Sequence, residues 1–350
     1  MDAIAAPSAP GIRKERRIVT TTDYHTAGEP FRIVTGGVPP LEGRTVLDRR
    51  RFARDHLDDV RRLLVNEPRG HADMYGAFVV PPNDVGADLG VVFFHNEGYS
   101  TACGHGTIAL VTWALESGRL PITGDATHVV VDVPSGRLDC VADTTGGRAR
   151  AVRFRNVPSF ALARSVEVDS RAFGRLSVDV AFGGAFYGSL DVRTIGLDVS
   201  PASLPRVVEL ERELRQRLES AVDVAHPDEP ELRGIYGVIF WQEEAPTDGA
   251  TLTQRNVTVF ADGEVDRSPC GSGTSARLAL LHADGRLGPG ERLRHLGIVG
   301  SAFIGSIVGE TTAAGRAAVV TEVEGSAFLT GRHQFVLEPD DPLATGFLLR

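Results

Sequence analysis

Two cysteines stand in matched settings in this chain. "TACGHGTIALVTWALESGRL" begins at Thr101 and "SPCGSGTSARLALLHADGRL" at Ser268. Each segment has a cysteine, then Gly-x-Gly-Thr, an apolar run, and Gly-Arg-Leu. Gly118 and Gly285 lie at the same offset from Cys103 and Cys270. The first run carries Ile108, Val111 and Leu115 on one stripe and is apolar nearly all round, which predicts a buried helix. The glycines fall where a C-terminal cap belongs. Each cysteine therefore opens a buried helix, where unpaired N–H groups and the positive end of the dipole favour thiolate and anions. Gly-x-Gly lets a carboxylate approach the backbone. Two such ends facing one small anion would set a thiol on either side of one carbon. That is the requirement of a stereoinverting proton transfer: one thiolate takes an α-proton and the opposite thiol returns one. The N–H donors would hold the enediolate-like charge that develops.

The elements that must position these helices read as a mixed α+β chain. Residues 18–35 predict strand, turn, strand around Gly28-Glu29-Pro30, and 47–66 a helix through Phe52, Val60, Leu63 and Leu64. "GAFVVPP" and "GVVFFHNEGYS" read as strands before the first cysteine helix. "HVVVDVPSGRLDCVAD", "RARAVRFRNV" and "VDVAFGGAFYGSLDV" read as strands after it, the last broken at Gly183-Gly184. A charged amphipathic helix follows over 201–222, then "GIYGVIFWQ" and "NVTVFADG", the second cysteine helix, and a tail of short strands. Strands, one helix, strands, and the pattern again imply two similar halves.

The chain has 350 residues, 42% hydrophobic and 24% charged, with net charge −9. This suits a globular protein of two domains. A diffuse acidic balance argues against nucleic acid and anionic membranes as partners, and no apolar run reaches the ~18 residues of a membrane span. Residues 1–16 lack the apolar core of a secretory signal, predicting a disordered or capping lead-in and a cytoplasmic location. Three cysteines make no disulfide framework, although Cys103 and Cys270 could be oxidised to one if they face each other closely. The one lysine, Lys14, lies in that lead-in. The folded body thus offers neither a pyridoxal-phosphate Schiff base nor a Walker lysine, and cofactor-independent chemistry is expected.

The long motifs "EGYSTACGHGTIAL" and "DRSPCGSGTSARLAL" resemble the two signature segments of the proline racemase family. That family includes proline racemases, hydroxyproline 2-epimerases and trans-3-hydroxyproline dehydratases. "HTAGEPFRIV", "EPRGHADMYGAF", "FGGAFYG", "SIVGE" and "DDPLATGF" extend the likeness over nearly the whole chain. The resemblance implies an α+β fold of two pseudo-symmetric domains like diaminopimelate epimerase, each a β-barrel-like sheet around a central helix. It places the domains at 17–187 plus about 336–350, and at 188–335. It implies Cys103 and Cys270 as the acid/base pair and the backbones of Gly104, His105, Gly271 and Ser272 as the carboxylate site. The His105 and Asp266 side chains would hold the ring nitrogen, with Tyr75 and Phe260 packed on the ring. Phenylalanine is usual at the first of these positions, so Tyr75 adds a hydroxyl able to meet a polar ring substituent. A homodimer is the family expectation.

The motifs are a hybrid. Dehydratase members usually carry Thr or Ser at the second cysteine, so Cys270 favours epimerisation. "NEGYST" and "GGAFYG" look more like the dehydratase branch, and Ala185 and Ala102 stand where racemases often have Asn and Met. The resulting expectation is a racemase or epimerase of a proline-type imino acid, hydroxyproline ahead of proline. Dehydration of trans-3-hydroxy-L-proline with Cys103 as base is the alternative. A protein of this fold that acts on another substrate, or only binds, is a further one. Other readings weigh less. A zinc site wants four ligands and Cys-Gly-His is a poor match, so no metal is expected. An acyl-transfer Cys–His pair would leave Cys270 unexplained and puts the histidine where it is poorly placed to take the thiol proton. Cys140 alternates with Leu138 and Ala142 as a core strand residue, and Arg69 in "EPRGH" reads as structural, paired to a carboxylate.

Overall fold

The computed structural model describes residues 16–349. The expected lead-in lies outside the described residues except for Arg16. Among the described residues five α-helices pack with a large mixed sheet: α1 (Val46–His56), α2 (Asp58–Val65), α3 (Gly104–Glu116), α4 (Leu204–Ala221) and α5 (Gly271–Ala283). The single helix expected over 47–66 is two. Leu57 departs from helical geometry at φ −128° and ψ 17°, and Asp58 and Asp59 open a new first turn, where acidic side chains suit the helix N-terminus.

In hydrogen-bonding order the first half runs Ala327–Leu337, Arg17–Thr26, Glu29–Gly36, Tyr75–Val80, Leu89–His95, Ala126–Val133, Gly136–Asp143 and Ala151–Arg155. The second runs Arg316–Gly325, Ala302–Ala313, Arg292–Leu296, Leu252–Phe260, Ile235–Glu244, Phe186–Asp191, Gly174–Phe182 and Phe160–Ser170. Arg316–Gly325 pairs with Ala151–Arg155 and joins the halves in one sheet. The α+β class with two pseudo-symmetric halves is thus the fold observed. We infer that the halves divide near Pro158 and Ser326. A boundary at 187 would split the antiparallel pair Gly174–Phe182 with Phe186–Asp191, and the return to the first half begins at Ala327, not near 336, because Ala327–Leu337 pairs with Arg17–Thr26.

The repeated helices are the cores of the two halves. Every residue of α3 from Gly104 to Leu115 is buried, and so is every residue of α5 from Gly271 to Leu281. Ile108, Val111 and Leu115 pack among Phe31, Phe93, Leu138, Cys140 and Phe154, each such side chain contributing about 1.5–3 kcal/mol. Cys140 is therefore the core residue expected. Gly118 (φ 73°) and Gly285 (φ 66°) take the left-handed conformation just past the helix ends. Arg69 donates to Val336 O, Ala344 O and Asp341 Oδ2, and so ties the C-terminal segment to the first half. No helix among the described residues is long and apolar enough to cross a membrane.

Candidate active site

The first turns of α3 and α5 meet at the junction of the halves. A Cβ built on Gly271 would lie 2.5 Å from the Cα of Gly104, and one built on Gly104 would be closer still to Gly271. No residue with a side chain lets the two backbones approach so closely. A cleft opens at this contact, lined by Tyr75, Ala102, Cys103, Gly104, His105, Tyr187, Tyr236, Phe260, Asp266, Cys270, Gly271 and Ser272. All nine residues singled out from the sequence line it together. The cleft is closed down: its free volume is about 10 Å³, room for about one water-sized sphere.

The two cysteines are held differently. Cys103 is the N-cap of α3, with extended backbone at φ −154° and its Sγ accepting from Gly106 N at 3.3 Å. Cys270 has φ 63° and ψ 111°, a strained region for a residue with a Cβ. A short relay of hydrogen bonds leads to this residue. Asp266 Oδ1 accepts from Ser268 N at 2.8 Å and Ser268 Oγ at 2.7 Å, and Ser268 Oγ accepts from Cys270 N at 3.1 Å. Asp266 is thus a turn-forming residue as well as a member of the site. The hydroxyls of Thr107 and Thr274 donate to the Cys103 and Cys270 carbonyls at 2.9 and 2.7 Å.

Burial governs the electrostatics. The helix-end expectation of a lowered thiol pKa does not hold in this closed cleft. Desolvation pushes Cys103 well above the ordinary range, and the Gly106 N–H, which lowers it, does not compensate. Burial, then the Asp266 charge, pushes Cys270 up to about 12. Burial raises Asp266 to about 6 and lowers His105 to about 3, so its imidazole is neutral. Glu29, fully buried and near Asp266, is raised well above the carboxylate range. Its Oε2 accepts from Arg267 N at 2.7 Å. His105 lies closer to the thiol than the sequence suggested: Cys103 Sγ is 3.6 Å from Nδ1 and 3.5 Å from Nε2. Near-equal distances place the sulfur across the ring between the nitrogens, not in line with either. His105 Nδ1 is 4.0 Å from Asp266 Oδ2. Among the described residues no group of three or more His, Cys, Asp or Glu is gathered as metal ligands would be.

Sequence reasoning missed Tyr187, Tyr236 and Glu29. Tyr187 Oη lies 2.7 Å from Ser272 Oγ and 3.8 Å from Cys270 Sγ. Tyr236 Oη lies 2.9 Å from Tyr75 Oη, and Tyr75 Oη donates to Ser100 Oγ. Tyr187 and Glu29 fall inside quoted motifs, "FGGAFYG" and "HTAGEPFRIV". Tyr236 sits in a plain strand pattern that gave no signal.

Two buried helices thus meet N-terminus to N-terminus, with a cysteine at each, at the junction of two similar halves. The proline racemase family model matches residues 21–348, and the chain belongs to that family. It is 47% identical over 338 residues to a trans-3-hydroxy-L-proline dehydratase of Bacillus cereus, covering 96% of this chain and 99% of the relative. It is 45% identical over 337 residues to a 3-hydroxyproline 2-epimerase of Burkholderia multivorans, covering 96% and 100%. The crystal structure of a hydroxyproline epimerase from Agrobacterium vitis, with bound trans-4-OH-L-proline, superposes with TM-score 0.87 at 35% identity, covering 95% of this chain and 96% of that one.

Proposed function

We propose that this chain removes the α-proton of 3-hydroxyproline with one cysteine and returns a proton to the opposite face with the other, as a 3-hydroxyproline 2-epimerase. The observation that carries this reading is the convergence of Cys103 and Cys270 on one closed cleft at abutting helix ends. The first-turn N–H groups of Gly104, His105, Gly271 and Ser272 have no intrahelical partners and receive the carboxylate. Asp266 accepts from the ring ammonium beside neutral His105. The raised thiol pKa values make either thiolate a strong base, which narrows the gap to a weak carbon acid at the cost of thiolate population. The helix-end donors hold the carbanion's charge in the carboxylate oxygens. The substrate choice draws on the relatives, whose names specify 3-hydroxyproline.

The relatives named as dehydratases favour a second reading. In trans-3-hydroxy-L-proline the α-hydrogen and the hydroxyl share one ring face. The thiol that takes the proton can return it to the departing oxygen: the C–H and C–O bonds break, water leaves, and the enamine tautomerises to a cyclic imine. One thiol, Cys103, suffices.

The deciding experiment is proton NMR in heavy water on the reduced protein and its Cys270→Ser variant, with the stereoisomers of proline, 3-hydroxyproline and 4-hydroxyproline. Epimerisation predicts a new diastereomer deuterated at Cα, lost in Cys270→Ser. Dehydration predicts loss of ring signals to the imine, retained in that variant. α-Exchange in Cys270→Ser equal to wild type, with epimer still formed, would refute the two-thiol mechanism.

A further inference from the structure

Tyr236 comes from Ile235–Glu244 in the second half, and its hydroxyl meets that of Tyr75 from the first half. Its ring stacks on Phe260 at 5.3 Å and 18° and meets Tyr187 edge-on at 5.8 Å and 87°. It belongs to the wall of the closed cleft and also to that of a neighbouring cavity of about 430 Å³ between the halves, lined in addition by His95, Ser100 and Ala261. Tyr236 is therefore the partition between the two spaces.

With the carboxylate at the helix ends and the ring nitrogen at His105 and Asp266, as proposed above, the lining left to face the carbon edge of the ring is Tyr75, Phe260, Tyr236, Tyr187 and Ala102. That wall is mostly aromatic, and its polar side-chain atoms are phenol oxygens. Tyr75 gives its hydrogen to Ser100, so between the two tyrosines Tyr236 is the donor and Tyr75 the acceptor. Each tyrosine has one hydroxyl hydrogen and lone pairs that accept. The Tyr236 oxygen thus keeps its accepting capacity for a third hydroxyl.

Resting on the reading above, we propose that Tyr236 is a specificity-determining residue whose phenol oxygen accepts a hydrogen bond from the substrate's ring hydroxyl. The hydroxyl subsite is then shared: Tyr75 and Ser100 come from one half and Tyr236 from the other. A ring hydroxyl is recognised only when the halves have come together, and the Tyr75–Tyr236 bond keeps both phenols satisfied when the ring carries none.

The test is Tyr236→Phe in the reduced full chain, which keeps the ring stack and removes the oxygen. Two quantities are read: kcat/KM for the hydroxylated imino acid that the wild type turns over, by NMR in heavy water, and Kd for pyrrole-2-carboxylate, a planar analogue without a ring hydroxyl, by calorimetry. The expected result is a fall in kcat/KM of about tenfold or more with Kd for the analogue unchanged within about twofold. Equal weakening of both, or an unchanged kcat/KM, overturns the proposal and leaves the proton-transfer reading standing. A wild type that exchanges no α-proton across the panel overturns that reading, and the role of Tyr236 with it.

Discussion

Adding one methyl group at Gly104 tests the closed site directly. The corresponding Cβ at Gly271 would stand 2.5 Å from Gly104 Cα, and the Gly104 Cβ would also meet Phe154 Cζ at 3.0 Å. Carbon atoms in contact prefer about 3.5–4.0 Å, so the helix ends must separate by roughly 1 Å. Both neighbours of the clash at the helix end are backbone, which cannot swing aside. Overpacking of this kind costs about 1–3 kcal/mol, felt only where the first turns touch. At about 1.4 kcal/mol per tenfold, kcat/KM in Gly104→Ala should fall roughly 5- to 150-fold. Global stability should fall by about 0–2 kcal/mol, because the better helix propensity of alanine, about 1 kcal/mol, offsets only part of the overpacking. The assays are NMR-detected α-proton exchange and thermal unfolding on the same sample. Gly271→Ala should behave alike, and the double variant should lose less than the product of the single losses, since one separation relieves both clashes. Activity within about threefold of wild type, with stability unchanged, would refute the reasoning, since a cost of the size expected cannot be that small.

Asp266→Asn probes the buried charge. Burial raises this carboxyl from 3.8 to about 6, so between those values the folded state holds more protons than the unfolded one. The group's contribution to stability is then greatest below its unfolded pKa and declines as pH rises through about 6. Relative to wild type, the asparagine variant should gain on the order of 1–3 kcal/mol from pH 4 to pH 7, read from urea unfolding at each pH. A relative gain on acidification would show that the fold instead stabilises the carboxylate. Arg69→Ala should cost about 1–3 kcal/mol in urea unfolding, because three acceptors from the C-terminal segment lose their donor. Its kcat should stay near wild type, and loss of turnover without loss of stability would move Arg69 into the catalytic machinery.

The duplicated cysteine helices were legible because a helix buried on all sides must be apolar on all sides, and because the glycine caps repeat. Their convergence was legible only as an expectation, since nothing in either segment says which way it points in the fold. No local signal marks where the halves divide; our placement near Pro158 and Ser326 rests on strand pairing such as that of Ala327–Leu337 with Arg17–Thr26, which no short stretch of sequence announces. The thiols' protonation was not legible in the sequence for a related reason. The helix terminus is visible in sequence, whereas the desolvation that outweighs it comes from both halves closing together. Tyr236 was invisible because a tyrosine in an alternating strand looks like any half-buried core residue until its opposite number, Tyr75, is known.

The meeting of the two helix ends also ties recognition to mechanics. Two positive dipole ends pressed together repel one another, and the sheet with the contacts across the halves, such as Tyr75 with Tyr236 and Arg267 with Glu29, must supply the force that opposes them. An anion inserted between them turns that repulsion into attraction on both sides at once. Carboxylate capture and the docking of the halves then become one equilibrium. A molecule with the right ring and no negative charge would add nothing to the hold between the two helix ends.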